Sequence, residues 1–254
     1  MLFTRIILTF LLFTHYPPRI TTTEQLIKAM QDRYKGKWAR TITFTQYNTH
    51  YAADTIKTQS VWYEAIQFPD QFRIDFGKLS EGNAVIFAQD SAYNFKDGQL
   101  KSSRLQVNNL LLLTGGIFFI APEDGLSRLK EAGYNLSIFR EDTWEGEPVY
   151  VIGALKGDNQ SSQLWISKTH LYLLRTITQS PDHHVQEAQF RKHVRIGGGW
   201  IETEVLFLKD GQRQQLEVYK DIKANAKLAV ELFKPDHFGK VHWKKEDDEK
   251  KTEK

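Results

Sequence analysis

The sequence predicts a mainly β fold with a few α-helices, built on one antiparallel sheet. Three observations predict it. Apolar and polar residues alternate with period two in several short runs, as in Phe72-Arg73-Ile74-Asp75-Phe76, where Phe72, Ile74 and Phe76 share one face and Arg73 and Asp75 the other. Asp97-Gly98 and Asp210-Gly211 each separate β-prone runs, and both residues of an Asp-Gly pair tolerate the positive φ of a tight hairpin. The runs recur about every ten residues, without long helices between them, which is the signature of a meander rather than of a parallel α/β sheet.

The chain opens on Arg5 and an eight-residue apolar run, 6–13. A membrane span needs roughly 20 residues, so this run has the length of a signal-peptide core instead. Residues 1–20 are therefore expected to be a signal peptide, cleaved at an unmarked point because 14–18 hold no Ala-x-Ala pattern. There is no cysteine among the 254 residues. Disulfides, thiolate metal sites and a lipid-anchoring cysteine are excluded, and the expected product is soluble and periplasmic. Removing Arg5 and Arg19 with the leader leaves 32 of the 34 basic residues against 31 acidic ones, too even a balance for nucleic acid.

The mature domain is expected over 21–238. It begins with a helix: Thr21-Thr22-Thr23-Glu24 reads as a capping box, Leu26, Ile27, Met30 and Tyr34 recur at helical spacing, and Gly36 ends it. Strands are expected at 41–47, 61–68, 72–76, 83–87, 93–95, 135–144, 148–155, 163–167, 171–178, 185–195, 200–208 and 214–221. Between 185–195 and 200–208 the triplet Gly197-Gly198-Gly199 reads as a hairpin turn. The run 149–155 is apolar at nearly every position, so both its faces must be covered, and helices in the mouth of a curved sheet would do that. Residues 110–120 form a Gly-broken apolar segment. With the helix expected from Pro122 to Gly133, they look like a plug or lid over a cavity, or equally like core. The end, 239–254, is expected to be a charged solvated tail; from Lys244 onward it has no apolar residue.

Catalytic and metal chemistry find little support. His183, His184, Glu187 and His193 are the densest ligand candidates, but 183 and 184 would point to opposite faces of a strand. Glu202 and Glu204 share a strand face and could act as paired acids, although solvated positions are the commoner outcome. No Gly-x-Ser-x-Gly elbow surrounds Ser161, Ser162 or Ser167. No catalytic residue, metal or cofactor is assigned.

The order and punctuation of the strands resemble the outer-membrane lipoprotein-sorting superfamily, the LolA/LolB-like proteins. The likeness runs through Phe44-Thr45-Gln46, 68–76, the pair 87–90 and 93–98, Leu164-Trp165-Ile166-Ser167-Lys168, 219–225 and 232–235. It implies a single open antiparallel half-barrel with helices across its concave face, and an apolar cavity sheltering acyl chains. The partners implied are a lipid or acylated lipoprotein and an inner- or outer-membrane protein, with no nucleic acid, and the chain is expected to be monomeric. An envelope sensor on the same fold is the alternative, and an envelope-lipid enzyme a weaker one. The family carrier has an Arg before the Pro of the strand-turn element that helps hold its lid shut; here that residue is Phe68. The expected cavity lining is Trp62, Phe72, Ile74, Phe76, Leu111, Ile117 and Phe118.

Overall fold

The computed structural model describes residues 19–244, so most of the expected leader lies outside the described residues. Helix α1 (Thr23–Tyr34) is capped by the Thr22 hydroxyl, which accepts from the Gln25 N–H at 3.2 Å. Gln25, not Glu24, reaches back, accepting from the Thr21 N–H at 2.8 Å, because the third residue after the cap is the one whose side chain meets the helix start. Gly36, at φ +68°, ends the helix in the left-handed conformation.

A first meander follows: β1 (Thr41–Ala52), β2 (Thr55–Gln67), β3 (Gln71–Phe76), β4 (Ala84–Ala88), β5 (Ser91–Lys96) and β6 (Gln99–Leu105). The chain then crosses the sheet as α2 (Asn109–Thr114), a 3-10 turn at Gly116–Phe118 and α3 (Pro122–Glu131). A second meander comprises β7 (Phe139–Trp144), β8 (Glu147–Ile152), β9 (Gln163–Ser167), β10 (Leu173–Gln179) and β11 (Val185–Arg191), then the ribbon β12 (Val194–Ile196) and β13 (Gly199–Ile201), then β14 (Glu204–Lys209) and β15 (Gln212–Ala224). Thirteen of these strands form one antiparallel sheet in the order β6-β5-β4-β3-β2-β1-β15-β14-β11-β10-β9-β8-β7. Strands β1 and β15 join the halves, with Gln46 opposite Tyr219 and Asn48 opposite Glu217. Strands β6 and β7 are its two edges, so the sheet is an open half-barrel and not a closed one.

Three departures from the sequence reading have local causes. Strand β6 was implied by the Asp97-Gly98 turn but given no bounds: every residue in it is exposed, so no buried face produces an alternation. The run 185–195 is cut at Lys192, which takes φ +52°. The run 200–208 is cut by a bend at Thr203. Together these free β12 and β13 as a separate ribbon, turned at Gly197-Gly198 as expected. At Gly199 the chain packs so closely on Trp38 that a Cβ would lie 2.6 Å from the indole.

The helices lie on the concave face. Leu26, Ile27 and Met30 of α1 and Leu129 of α3 pack with Ile152, Leu164 and Ile166 of the C-terminal half, which fills that part of the sheet solidly. Strand β8 is covered on both faces, though not by helices alone. Tyr150 and Ile152 face the core, whereas Val149 and Val151 turn outward against Trp165 and Leu174. The Arg140 and Arg175 guanidinium groups then lie over the Trp165 ring, at 5.2 and 5.0 Å, and their stems shield it from water.

The convex face of the N-terminal half is roofed by residues 226–244. Leu232 and Phe233 cover Ala65. Arg73 and Asp75 are 3% and 4% exposed and pair at 2.8 Å. Arg73 also donates to the Val241 carbonyl (3.2 Å), and His242 Nε2 meets Asp75 at 2.9 Å. The polar side of β3 is thus a buried ion pair, which holds Asp75 below the usual carboxylate range against the opposing effect of burial, chiefly through His242 and Arg73. Residues 239–244, expected in the tail, belong to this packing; 245–254 lie outside the described residues. No described helix is long and apolar enough to cross a membrane.

Candidate cavity beneath helix α2

The concave face is not filled everywhere. Between the N-terminal strands and α2 lies a cavity of about 180 Å³. Its position follows from register. Phe44 on β1 faces Glu64 on β2, and Ile66 faces Phe72 on β3. On the other side Glu217 of β15 faces Val205 of β14, which faces Phe190 of β11. Directly opposed residues share a sheet face, so all of these point inward. The roof is α2. Asn108 caps it by accepting from the Leu111 N–H at 3.1 Å, and Leu110, Leu111 and Thr114 turn towards the cavity. Leu110 also reaches the surface and marks the mouth.

Of the seven expected lining residues, Trp62, Phe72, Ile74 and Leu111 stand on the cavity wall. Phe76 does not; its ring packs edge-on against Trp62 with centroids 5.0 Å apart. Ile117 and Phe118 belong to the filled core instead. Ile117 is 1% exposed and Phe118 stacks on Trp38 at 4.0 Å, because α2 ends at Thr114 and the 3-10 turn carries the chain away from the cavity. Phe68 is buried: it stacks on Phe119 (5.7 Å) and lies directly beneath Gly115 at the end of α2.

The feature that sequence reasoning missed is a patch of carboxyl groups. Glu64, Glu202 and Glu217 all line the cavity, beside Gln46 and Tyr219. Tyr219 donates to Glu217 Oε2 at 2.9 Å and Gln215 to Oε1 at 2.8 Å. Gln215 and Gln46 both donate to Asn48 Oδ1, at 2.9 and 2.8 Å. Asn48 Nδ2 and, across the strands, Ser60 Oγ are buried and unpartnered among the described residues. Glu64 is 3% exposed. Burial pushes Glu64 well above the carboxylate range, and the neighbouring Glu217 and Glu202 charges push the same way. Burial likewise raises Glu202 to about 8 and Glu217 to about 7. The phenol of Tyr219 is raised too, by burial and by the three acids. The alternation around Glu64 and Glu217 was a usable signal: each occupies the inward phase of its strand, flanked by Trp62 and Ile66 or by Tyr219.

Glu202 and Glu204 do not act as a pair. The bend at Thr203 keeps Glu202 in the cavity and sends Glu204 to Lys192, 2.5 Å away. The histidine cluster is dispersed as well. His184 binds Asp210 (2.5 Å), Glu187 forms a two-point ion pair with Arg175 (2.7 and 2.9 Å), and His193 stacks on Tyr172 (3.8 Å). Burial lowers His193 to about 4. No group of three His, Asp or Glu among the described residues could hold a metal ion.

No protein-family model and no curated protein matches the chain. Solved structures do. A DUF1329 family protein from Desulfovibrio piger superposes with a TM-score of 0.59 at 11% identity, over 85% of this chain and 97% of that one. A LolA superfamily protein from Nitrosomonas europaea gives 0.56 at 12% identity, over 86% and 100%. A domain named for outer membrane lipoprotein sorting, from Vibrio parahaemolyticus, gives 0.55 at 12%, over 84% and 96%. The chain therefore has the LolA-like fold, an open antiparallel half-barrel with helices across its concave face.

Proposed function

We propose that this protein is a periplasmic carrier that shelters an apolar chain, such as the acyl chain of a lipid or lipoprotein, in the cavity beneath α2. The observation that carries the reading is the contrast beneath the helices: α1 and α3 pack directly on Ile152, Leu164 and Ile166, whereas beneath α2 the sheet keeps a cavity with an apolar roof, walled by strands of both halves. Cores close up when they can, since unfilled apolar volume loses contacts. The likeness in fold to a lipoprotein-sorting domain supports the same reading.

Size sets a condition on the mechanism. An engineered cavity of about 150 Å³ accepts a benzene ring, so a cavity of about 180 Å³ has room for a small part of an acyl chain. Each buried methylene is worth about 0.8 kcal/mol, and a chain of ~16 carbons resists water by about 12 kcal/mol. Admitting it requires α2 to lift. Six residues are too few to hold a helix alone, so α2 keeps its place through Leu111, Leu112, Leu113 and the Phe68–Gly115 contact. Gln31 anchors the following turn, donating to the Ile117 and Ile120 carbonyls at 2.8 and 3.0 Å. The lid therefore hinges on a fixed point. We read the cavity carboxyls as binding groups and the protein as a non-enzyme.

Titration with a long-chain alcohol tests the reading, because Trp62 and Trp200 stand on the wall. A saturable one-to-one change in tryptophan fluorescence, absent in Ile74→Phe, is expected. An unchanged spectrum, or an equal response in that variant, would count against it.

A further inference from the structure

We infer that the ligand of this cavity carries a cationic nitrogen: an amphiphile whose ammonium head sits among Glu64, Glu202 and Glu217 while its chain lies along the apolar wall under α2. The inference rests on the apolar-chain reading above and adds the head group to it. Its first support is charge. Three carboxyls line the cavity and no lysine, arginine or histidine does, so an ammonium head finds acids that can ionise to pair with it, whereas a carboxylate or phosphate head finds no counter-charge. Its second support is Glu64, 3% exposed and on the cavity wall. A buried carboxylate is costly without a counter-charge, and a bound cation supplies one. The third is the wall itself. Phe44 stacks on Tyr219 at 4.3 Å, and Trp62, Trp200, Phe190 and Phe207 complete an aromatic enclosure. Aromatic faces attract ammonium groups most strongly where water is excluded.

The geometry also excludes the simplest rival. The three carboxyls act on one another through space, yet they do not converge closely enough to ligate a metal ion. A diffuse organic cation, whose charge is spread over several carbon-bound hydrogens, matches acids placed apart around a cavity. Because burial keeps the carboxyls largely protonated when the site is empty, a cation entering would ionise them and release protons. Tyr219 faces the same space and keeps its proton, donating to Glu217.

The test compares three amphiphiles of equal chain length below their micellar concentrations: decyltrimethylammonium, decanol and decanoate, followed by tryptophan fluorescence. Wild-type protein is expected to bind the ammonium at least about tenfold more tightly than the alcohol, and decanoate most weakly. In Glu202→Gln and Glu217→Gln the preference of the ammonium over decanol should vanish. The wild-type protein supplies a control independent of folding of the variants: ammonium affinity should rise from pH 6 to pH 8.5, with decanol unaffected. Decanol binding as tightly as the ammonium, or a flat pH profile for the ammonium, overturns the head-group assignment and leaves the chain-binding reading standing. Binding of none of the three overturns both.

Discussion

The Phe68 ring lies under Gly115 so closely that a Cβ at residue 115 would stand 2.2 Å from Phe68 Cζ. Gly115 has an extended φ of −172° that any residue can adopt, so space, not backbone strain, demands glycine here. The contact fastens the end of α2 to the turn between β2 and β3. The contact is an apolar clasp on the roof of the cavity.

Gly115→Ala should accordingly force α2 off the ring. Overpacking of this kind costs about 1–3 kcal/mol, to be read from urea denaturation. Phe68→Leu in the same chain should recover most of the loss, and an unchanged midpoint for Gly115→Ala would contradict the clasp. Ligand association should quicken in the single variant, since the lid starts partly lifted.

The cavity acids predict an unusual pH profile. Glu202 and Glu217 are raised in the folded state, to about 8 and about 7, against about 4.3 in an unfolded chain. Groups raised on folding contribute their full stability below the unfolded value and lose it as pH climbs through the folded one. The ligand-free protein should therefore lose stability between about pH 4.5 and pH 8. Glu202→Gln with Glu217→Gln should flatten that slope in thermal melts across pH and raise stability at pH 8.

The reverse sign holds for Asp75, which is depressed by His242 and Arg73. Its contribution is present above the normal aspartate range and lost as pH falls through its lowered value. Arg73→Ala leaves Asp75 buried with His242 alone, and breaking a buried pair in this way costs roughly 3–5 kcal/mol. Limited proteolysis should then cut residues 226–244, which Arg73 tethers through the Leu232 and Val241 carbonyls.

Much of the fold was legible in the chain. The inward phase of Phe72, Ile74 and Phe76, the two Asp-Gly turns and the Gly36 cap are local rules, and the structure obeys them. What was not legible depends on distant partners. The extent of strand β6 is set by the edge that β5 offers it. The polar face holding Arg73 and Asp75 is buried because residues 226–244 fold back over it. Within the candidate site, Trp62, Phe72, Ile74 and Leu111 could be picked by phase, but Ile117 and Phe118 could not be separated from core, since filling and lining both ask for apolar residues. Glu64 and Glu217 read as ordinary strand acids until the β1–β15 pairing set them around one space.

The most direct measurement is mass spectrometry of the whole 254-residue chain purified without detergent, beside a cavity-filling Ile74→Trp variant. An apolar-chain carrier should retain about one chain-bearing lipid per wild-type molecule and far less in the variant. Wild-type protein free of lipid, or equal lipid in both, would contradict the account.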